Sequence, residues 1–499
     1  MKRPLFFLNL LMMLAACSPQ VPDITQSVEN APSIFPDYTD VTVPSNIAPL
    51  NFSIEEKGDK YVTLLTSGSK KVTLGGDKVI IPAGKWNGLK ENGPITVQVY
   101  VRRDNTWYGY REFTITPSDE IDPYISYRII MPSVESYERL SINQRDITSF
   151  REKVIYANQM VQDESNGQCI NCHHYRNYGT DNMQFHARQY LGGTILSIDG
   201  QLRKVNLKTD STISAGVYPA GHPTHDYIAY STNKTHQSSH SIGNNRIEVT
   251  DEESDLILYD IRNNAVSIIE NDPKQFECFP AWSPDGHMLY YVSAYYDAPF
   301  DSKRKDQVFI NYDRIRYSLY RKQFDPDTRT WGPSSILYDC ASEDLIATLP
   351  RVSPDGRWLM FSMAPYGVFH IWHRESDLWM IDLRNSTVRS LSELNSPEVE
   401  SYHSWSSNGK WIIFSTRRED GAYTRLYIAH MEKDGTFSKP FALPQHDPDF
   451  NRTFLYSYNI PEFMKEPVRI SPREFASFIS STQDIPVGYQ QKNERNYEK

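Results

Sequence analysis

Short runs in which apolar and polar residues alternate fill the chain from about residue 51 onward. Thr96 to Val101 places Val97, Val99 and Val101 on one face. Tyr61-Val62-Thr63-Leu64-Leu65, Lys71-Val72-Thr73-Leu74, Val79-Ile80-Ile81 and Trp107 to Thr116 are further β-branched or aromatic runs, and Gly75-Gly76-Asp77 reads as a turn between two of them. The pattern predicts a β-sandwich-like module over 51–120. The period changes after Asp146. Phe150, Val154, Ile155, Asn158 and Val161 fall on one side of a helix over 146–161, with Asp146 as its N-cap.

Self-similarity dominates the C-terminal half of the chain. Phe279-Pro280-Ala281-Trp282-Ser283-Pro284-Asp285-Gly286 returns as Leu349-Pro350-Arg351-Val352-Ser353-Pro354-Asp355-Gly356 and as Tyr402-His403-Ser404-Trp405-Ser406-Ser407-Asn408-Gly409. A weaker copy begins at Tyr218-Pro219-Ala220-Gly221. Each copy leads into an apolar run, and a second run recurs downstream, as in Asp377-Leu378-Trp379-Met380-Ile381-Asp382. Repeats of this kind predict stacked four-stranded blades, so the fold class is mainly β, with a C-terminal propeller of about six blades over 193–460. The copies are longer than a bare blade, and the inserts 233–254, 295–316 and 364–376 carry His236, His240, His370, Trp372 and His373, expected to be solvated. The first copy has Gly221 where the others have Trp282, Val352 or Trp405. That blade is expected to lie nearest any cofactor.

Composition narrows the function. The formal charge is −10, from 52 Lys plus Arg and 62 Asp plus Glu. That balance counts against a phosphate-tracking surface, so no nucleic-acid partner is expected. The N-terminus is basic at Lys2 and Arg3, then apolar from Leu5 to Ala16, which is too short to span a membrane and shaped as a secretory signal. Residues 1–16 read as the signal peptide and 17–50, with six prolines, as an extended tether.

The richest stretch is Cys169-Ile170-Asn171-Cys172-His173-His174. C-x-x-C-H is the attachment sequence of c-type haem: two thiols spaced to reach two vinyl groups, and an imidazole beneath the ring. A zinc site, a redox dithiol and a tight disulfide are the competing readings. The sixth iron ligand is His186 or, alternatively, Met183. On an extended segment Met183 and Phe185 face one way, and His186 and Arg188 the other. With His186 as ligand, Arg188 stands near the same face to pair with a propionate. The segment 121–192 is therefore expected to be a short helical haem-binding unit holding one covalent haem c. Cys278 and Cys340 are expected to stay unpaired rather than bridge neighbouring blades.

Leu14-Ala15-Ala16-Cys17 resembles the bacterial lipoprotein signal, which implies cleavage before Cys17, lipidation of Cys17 and a membrane anchor. The propeller copies resemble those of TolB and its relatives. Taken together with Ile121-Asp122-Pro123-Tyr124, the Cys169–His173 motif, Phe185-His186-Ala187-Arg188 and Gly192-Gly193-Thr194, the chain resembles haem-binding TolB-like lipoproteins of the Bacteroidetes type. The expectation is a lipid-anchored cytochrome c on the periplasmic side of the cell envelope, on the outer membrane, that transfers single electrons to and from a redox partner protein. The alternative is an interaction or scaffold lipoprotein with a protein partner on the propeller face, its haem structural or sensory. Residues 461–499 read as an extension ending in a polar, disordered tail from Gln490. Electron transfer or binding is expected more than catalysis.

Overall fold

The computed structural model describes residues 19–23, 26–131, 139–164, 166–240, 247–297 and 303–490. Cys17 and its signal lie outside the described residues, as does the tail beyond Gln490. The fold is mainly β.

Val97, Val99 and Val101 are fully buried, as their alternation requires. Their strand, Ile95–Arg103, is shared by Lys60–Ser67 on one edge and by Thr106–Tyr110 and Phe113–Ser118 on the other. A second small sheet, Ile34–Phe35, Phe52–Ile54 and Lys78–Val79, belongs to the same module. Trp86, on the helix Ala83–Lys90, is fully buried, and its Nε1 donates to the Ile47 carbonyl at 2.9 Å.

The tether expectation is corrected here. Gln26–Val28 and Val41–Pro44 add parallel strands to the large sheet, and Tyr38, Val41 and Val43 are buried. Apolar residues between the prolines outweigh the extended-chain bias, because their burial is worth about 25 cal/mol per Å².

Six four-stranded antiparallel sheets make up the rest. Blades one to five run 168–206, 217–270, 275–338, 346–390 and 400–442. Blade six joins the two ends of this region: Ser457–Met464 pairs with Tyr124–Ile130, followed outward by Ser141–Asp146 and Glu152–Ala157. The innermost strand of each blade packs on that of the next, and Ser457–Met464 closes the ring against Gln168–Tyr175. That closure is a six-bladed propeller latched by strands from distant parts of the chain.

The helix expected over 146–161 is a strand and a short 3₁₀ turn. Val154-Ile155-Tyr156 is β-branched and aromatic, and the antiparallel partner Ser141–Asp146 supplies its backbone hydrogen bonds. Asp146 caps the intervening turn instead, accepting from the Thr148 amide at 3.0 Å and pairing with Arg151 at 2.7 Å. The segment 121–192 is thus no helical unit, and the boundaries at 193 and 461 fall inside blades, whereas 121 lies between the N-terminal module and blade six. Residues after 461 are also built in. Helix Pro472–Ser481 buries Phe475 and Ile479 beside Tyr156 and Phe185, and Ile485–Pro486 and Gly488–Tyr489 extend blades one and two.

The recurring turn has a side-chain cause. Ser283, Ser353 and Ser406 each accept from a backbone amide at the start of the next strand, at 2.9, 2.9 and 3.0 Å. Gly286, Gly356 and Gly409 take φ of 77°, 71° and 68°, a region that only glycine enters at little cost. Asp122 joins the N-terminal end of blade six to the blade-five turn, its carboxylate accepting from Ser407 N and Oγ at 2.6 Å each.

Candidate functional site

The C-x-x-C-H motif occupies the innermost strand of blade one, Gln168–Tyr175. Cys169 pairs with Arg188, Ile170 with Ala187 and Asn171 with His186; the register then slips before His174. Every inner strand carries the same bulge. Cys172, Tyr218, Phe279, Leu349, Tyr402 and Ile460 all have φ between 45° and 55°. These six residues ring the propeller axis. Tyr218 and Phe279 meet edge to face at 4.4 Å between centroids. Cys172 is one member of this ring. Burial raises its thiol pKa, against the pull of Arg188, which makes it a poor nucleophile. His173 falls where the other blades have Pro219, Pro280, Pro350, His403 and Pro461.

The remaining candidates divide between the two faces of blade one. Met183, Phe185 and Ala187 join Ile170 and Tyr175 in the core toward blade six. His186 pairs with Thr194, whose hydroxyl lies 3.1 Å from its Nδ1, and its neighbour Gln184 accepts from Tyr230 of blade two. Burial holds the His186 pKa down to about 3, helped by Arg188. Arg188 itself is exposed. His173 is buried, with no well-formed hydrogen bond at either ring nitrogen, and burial lowers its pKa to about 4 against the pull of the Ile460 backbone. Glu462 and Arg128, both on blade six, also act on its charge. His173 and His186 therefore stand on opposite faces of one sheet.

This arrangement does not fit haem c. The donor chemistry is right: Cys169 and Cys172 are free thiols and the His173 nitrogens make no well-formed hydrogen bond. The placement is wrong. The two thiols stand on either side of a strand bulge rather than on one helical turn. Cys169 pairs beside Arg188 in the regular ladder, Cys172 lies on the axis, and His173 faces blade six.

Beyond the bulge the axis opens into a cavity of about 390 Å³ to which all six blades contribute. Its floor is the ring of residues two after the bulge residue: His174, Ala220, Ala281, Arg351, Ser404 and Glu462. His174 Nδ1 lies 3.2 Å from Glu462 Oε1, and its Nε2 accepts from the Gly221 amide at 3.1 Å. Burial works to raise the Glu462 pKa, but His174 and more distant cations outweigh it, so the carboxyl sits below its usual value. Trp282 and Trp405 wall the cavity, each indole fixed by a hydrogen bond to a neighbouring blade's carbonyl at 3.0 and 3.2 Å. The gap expected at Gly221 is real, and His174 and Arg176 fill it: a Cβ there would meet both at 3.2–3.3 Å. Sequence reasoning missed Arg351 and Glu462. Arg351 was legible as a charge at a position where two copies carry alanine. Glu462 was not, because Ile460-Pro461-Glu462-Phe463 lacks the turn that marks the other copies.

At the far end of the axis the inserts are not wholly solvated loops. His370, Trp372 and His373 are buried, and His373 Nε2 and His240 Nε2 lie 3.3 and 3.5 Å from the buried Glu248 Oε2. His236 packs edge-on against Phe309. Packing between three long inserts shields these side chains. Among the described residues, no group of three His, Cys, Asp or Glu is placed to hold a metal ion. Cys278 and Cys340 are buried and unbridged.

No protein-family model matches the chain, and no curated protein matches it. Solved structures similar to it include a Synechocystis apocarotenoid oxygenase, at 12% identity and TM-score 0.38, covering 85% of this chain and 95% of that one. An oligogalacturonate lyase in complex with manganese matches at 13% identity and TM-score 0.35, over 56% of this chain and 70% of that one. A prolyl endopeptidase matches at 11% and 0.35, over 70% and 41%. Likeness at these scores carries no argument about this chain.

Proposed function

We propose that this chain is a recognition protein of the bacterial cell envelope, tethered by a lipid on Cys17, which binds a small ligand in the axial mouth of its propeller. The observation behind this reading is the 390 Å³ cavity lined from all six blades, with indoles as walls and charged groups on its floor. Binding sites are concave, mostly apolar and set with a few polar groups, and this one has that make-up. Calorimetric titration of the mature protein against a small-molecule panel tests it, with Gly221→Trp as the blocked control. Binding that survives Gly221→Trp would place recognition elsewhere.

The second reading is the periplasmic electron-transfer cytochrome with a redox partner protein. The observation favouring it is the buried His173 imidazole, with no well-formed hydrogen bond at either nitrogen, beside two free thiols. It requires the Gln168–Tyr175 strand to leave the ring and another conformation to accept the macrocycle. Intact mass and a reduced-minus-oxidised spectrum, after expression with c-type maturation machinery, decide between the two. The first reading expects a colourless protein whose mass lacks a haem.

A further inference from the structure

The cavity floor is polarised. Blades two and three contribute Ala220 and Ala281, flanked by Pro219, Pro280 and Trp282, which makes an apolar arc. Blades four, five, six and one contribute Arg351, Ser404, Glu462 and His174. Three of these four are already engaged. His174 and Glu462 pair with each other, and the Ser404 hydroxyl donates to the Pro461 carbonyl.

Arg351 is different. Its guanidinium carries five N–H donors, and its side chain makes one hydrogen bond, from Nη1 to its neighbour Pro350's carbonyl at 3.1 Å. It forms no ion pair among the described residues. Burial lowers its pKa, with Glu462 acting to restore it. A guanidinium in a half-enclosed site, short of acceptors, presents the planar fork that a carboxylate fills with two parallel hydrogen bonds.

Resting on the binding reading above, we infer that the axial site takes a small ring-bearing carboxylic acid. Its carboxylate pairs with Arg351, and its ring lies on the proline and indole arc. The cavity volume suits a one-ring or two-ring acid rather than a chain.

The test uses two probes against the mature protein by calorimetry at pH 7: 4-hydroxyphenylacetate and its neutral amide. The acid is expected to bind about tenfold or more tighter than the amide, the scale of a charge-assisted bidentate contact. Arg351→Gln should abolish the preference for acid over amide, with Arg351→Lys intermediate. Equal binding of acid and amide by the unmodified protein overturns the carboxylate assignment and leaves the pocket reading in place. So does a preference that survives Arg351→Gln. If no probe binds at millimolar concentration, the aryl-acid assignment falls, and the panel titration above decides the pocket reading separately. Should the variants fail to fold, the acid-to-amide ratio of the unmodified chain decides alone.

Discussion

The innermost strand of blade one and those of the other five blades share a backbone and differ in chemistry. Cys172 stands where the others place Tyr218, Phe279, Leu349, Tyr402 or Ile460, and all six adopt positive φ. His173 stands where four blades have proline and blade five has His403. The backbone at this place comes from the ring: each inner strand bulges so that one side chain meets the axis. A motif that suggests a cofactor when read alone becomes one member of a six-fold repeat when read beside its equivalents. The difference between the strands lies in what the side chains can bond. His403 Nε2 lies 3.0 Å from the Met360 carbonyl of blade four, whereas His173 has only a looser contact with the Ile460 backbone of blade six.

Four experiments break or sharpen this comparison. The largest effect belongs to Cys172→Asp, which places a carboxylate among the axial aromatic and aliphatic residues. It should cost roughly 3–5 kcal/mol of unfolding free energy by chemical denaturation. A change below about 1 kcal/mol, the size of an ordinary surface substitution, would remove Cys172 from the packed ring.

Next comes pH. Burial depresses His403 to about 3, with Arg351 adding to it, while the unfolded chain titrates near 6.5. A group depressed on folding contributes its full stability above the unfolded value. That stability is lost as pH falls from about 6.5 toward 3, because the unfolded state then binds the proton and the folded state does not. His403→Gln should flatten denaturation midpoints over this window, and an unaltered slope would contradict it.

Gly221→Trp comes third. It restores the residue type of blades three and five but strikes His174 and Arg176. The expected cost is about 1–3 kcal/mol of overpacking, together with loss of ligand binding. A thermal melt and a titration read both, and retained binding would place recognition outside the mouth.

The smallest effect is expected for His173→Pro. Four blades accept proline after a residue of positive φ, so the unfolding free energy should shift by less than about 1 kcal/mol. Loss of folding would separate blade one from its siblings.

What could be read from sequence depended on how far apart the interacting residues lie. Val97, Val99 and Val101 alternated and proved buried, because a strand has a fixed two-residue period. The Ser-Pro-Asp-Gly turns were legible because the hydroxyl, carboxylate and glycine each have a local task within five residues. The stretch 146–161 misled, because apolar residues three and four apart satisfy a helix as well as an irregular hairpin, and the partner Ser141–Asp146 was not visible in that pattern. The prolines of 17–50 misled for a similar reason: what they join lies seventy or more residues away, at Thr106–Tyr110 and Phe113–Ser118. Of the site, the thiols and imidazole were legible as donors, but their directions were not.

By itself the amino-acid sequence determined the β character, the repeated blade and its turns, since each depends on neighbours within one strand or one turn. Only the tertiary structure decided that residues 124–157 and 457–464 form one blade, that Cys172 faces the axis, and that Arg351, Glu462 and His174 share a floor. Those outcomes rest on ring closure, which brings together groups some 290 residues apart through hydrogen bonds and burial that no local pattern encodes.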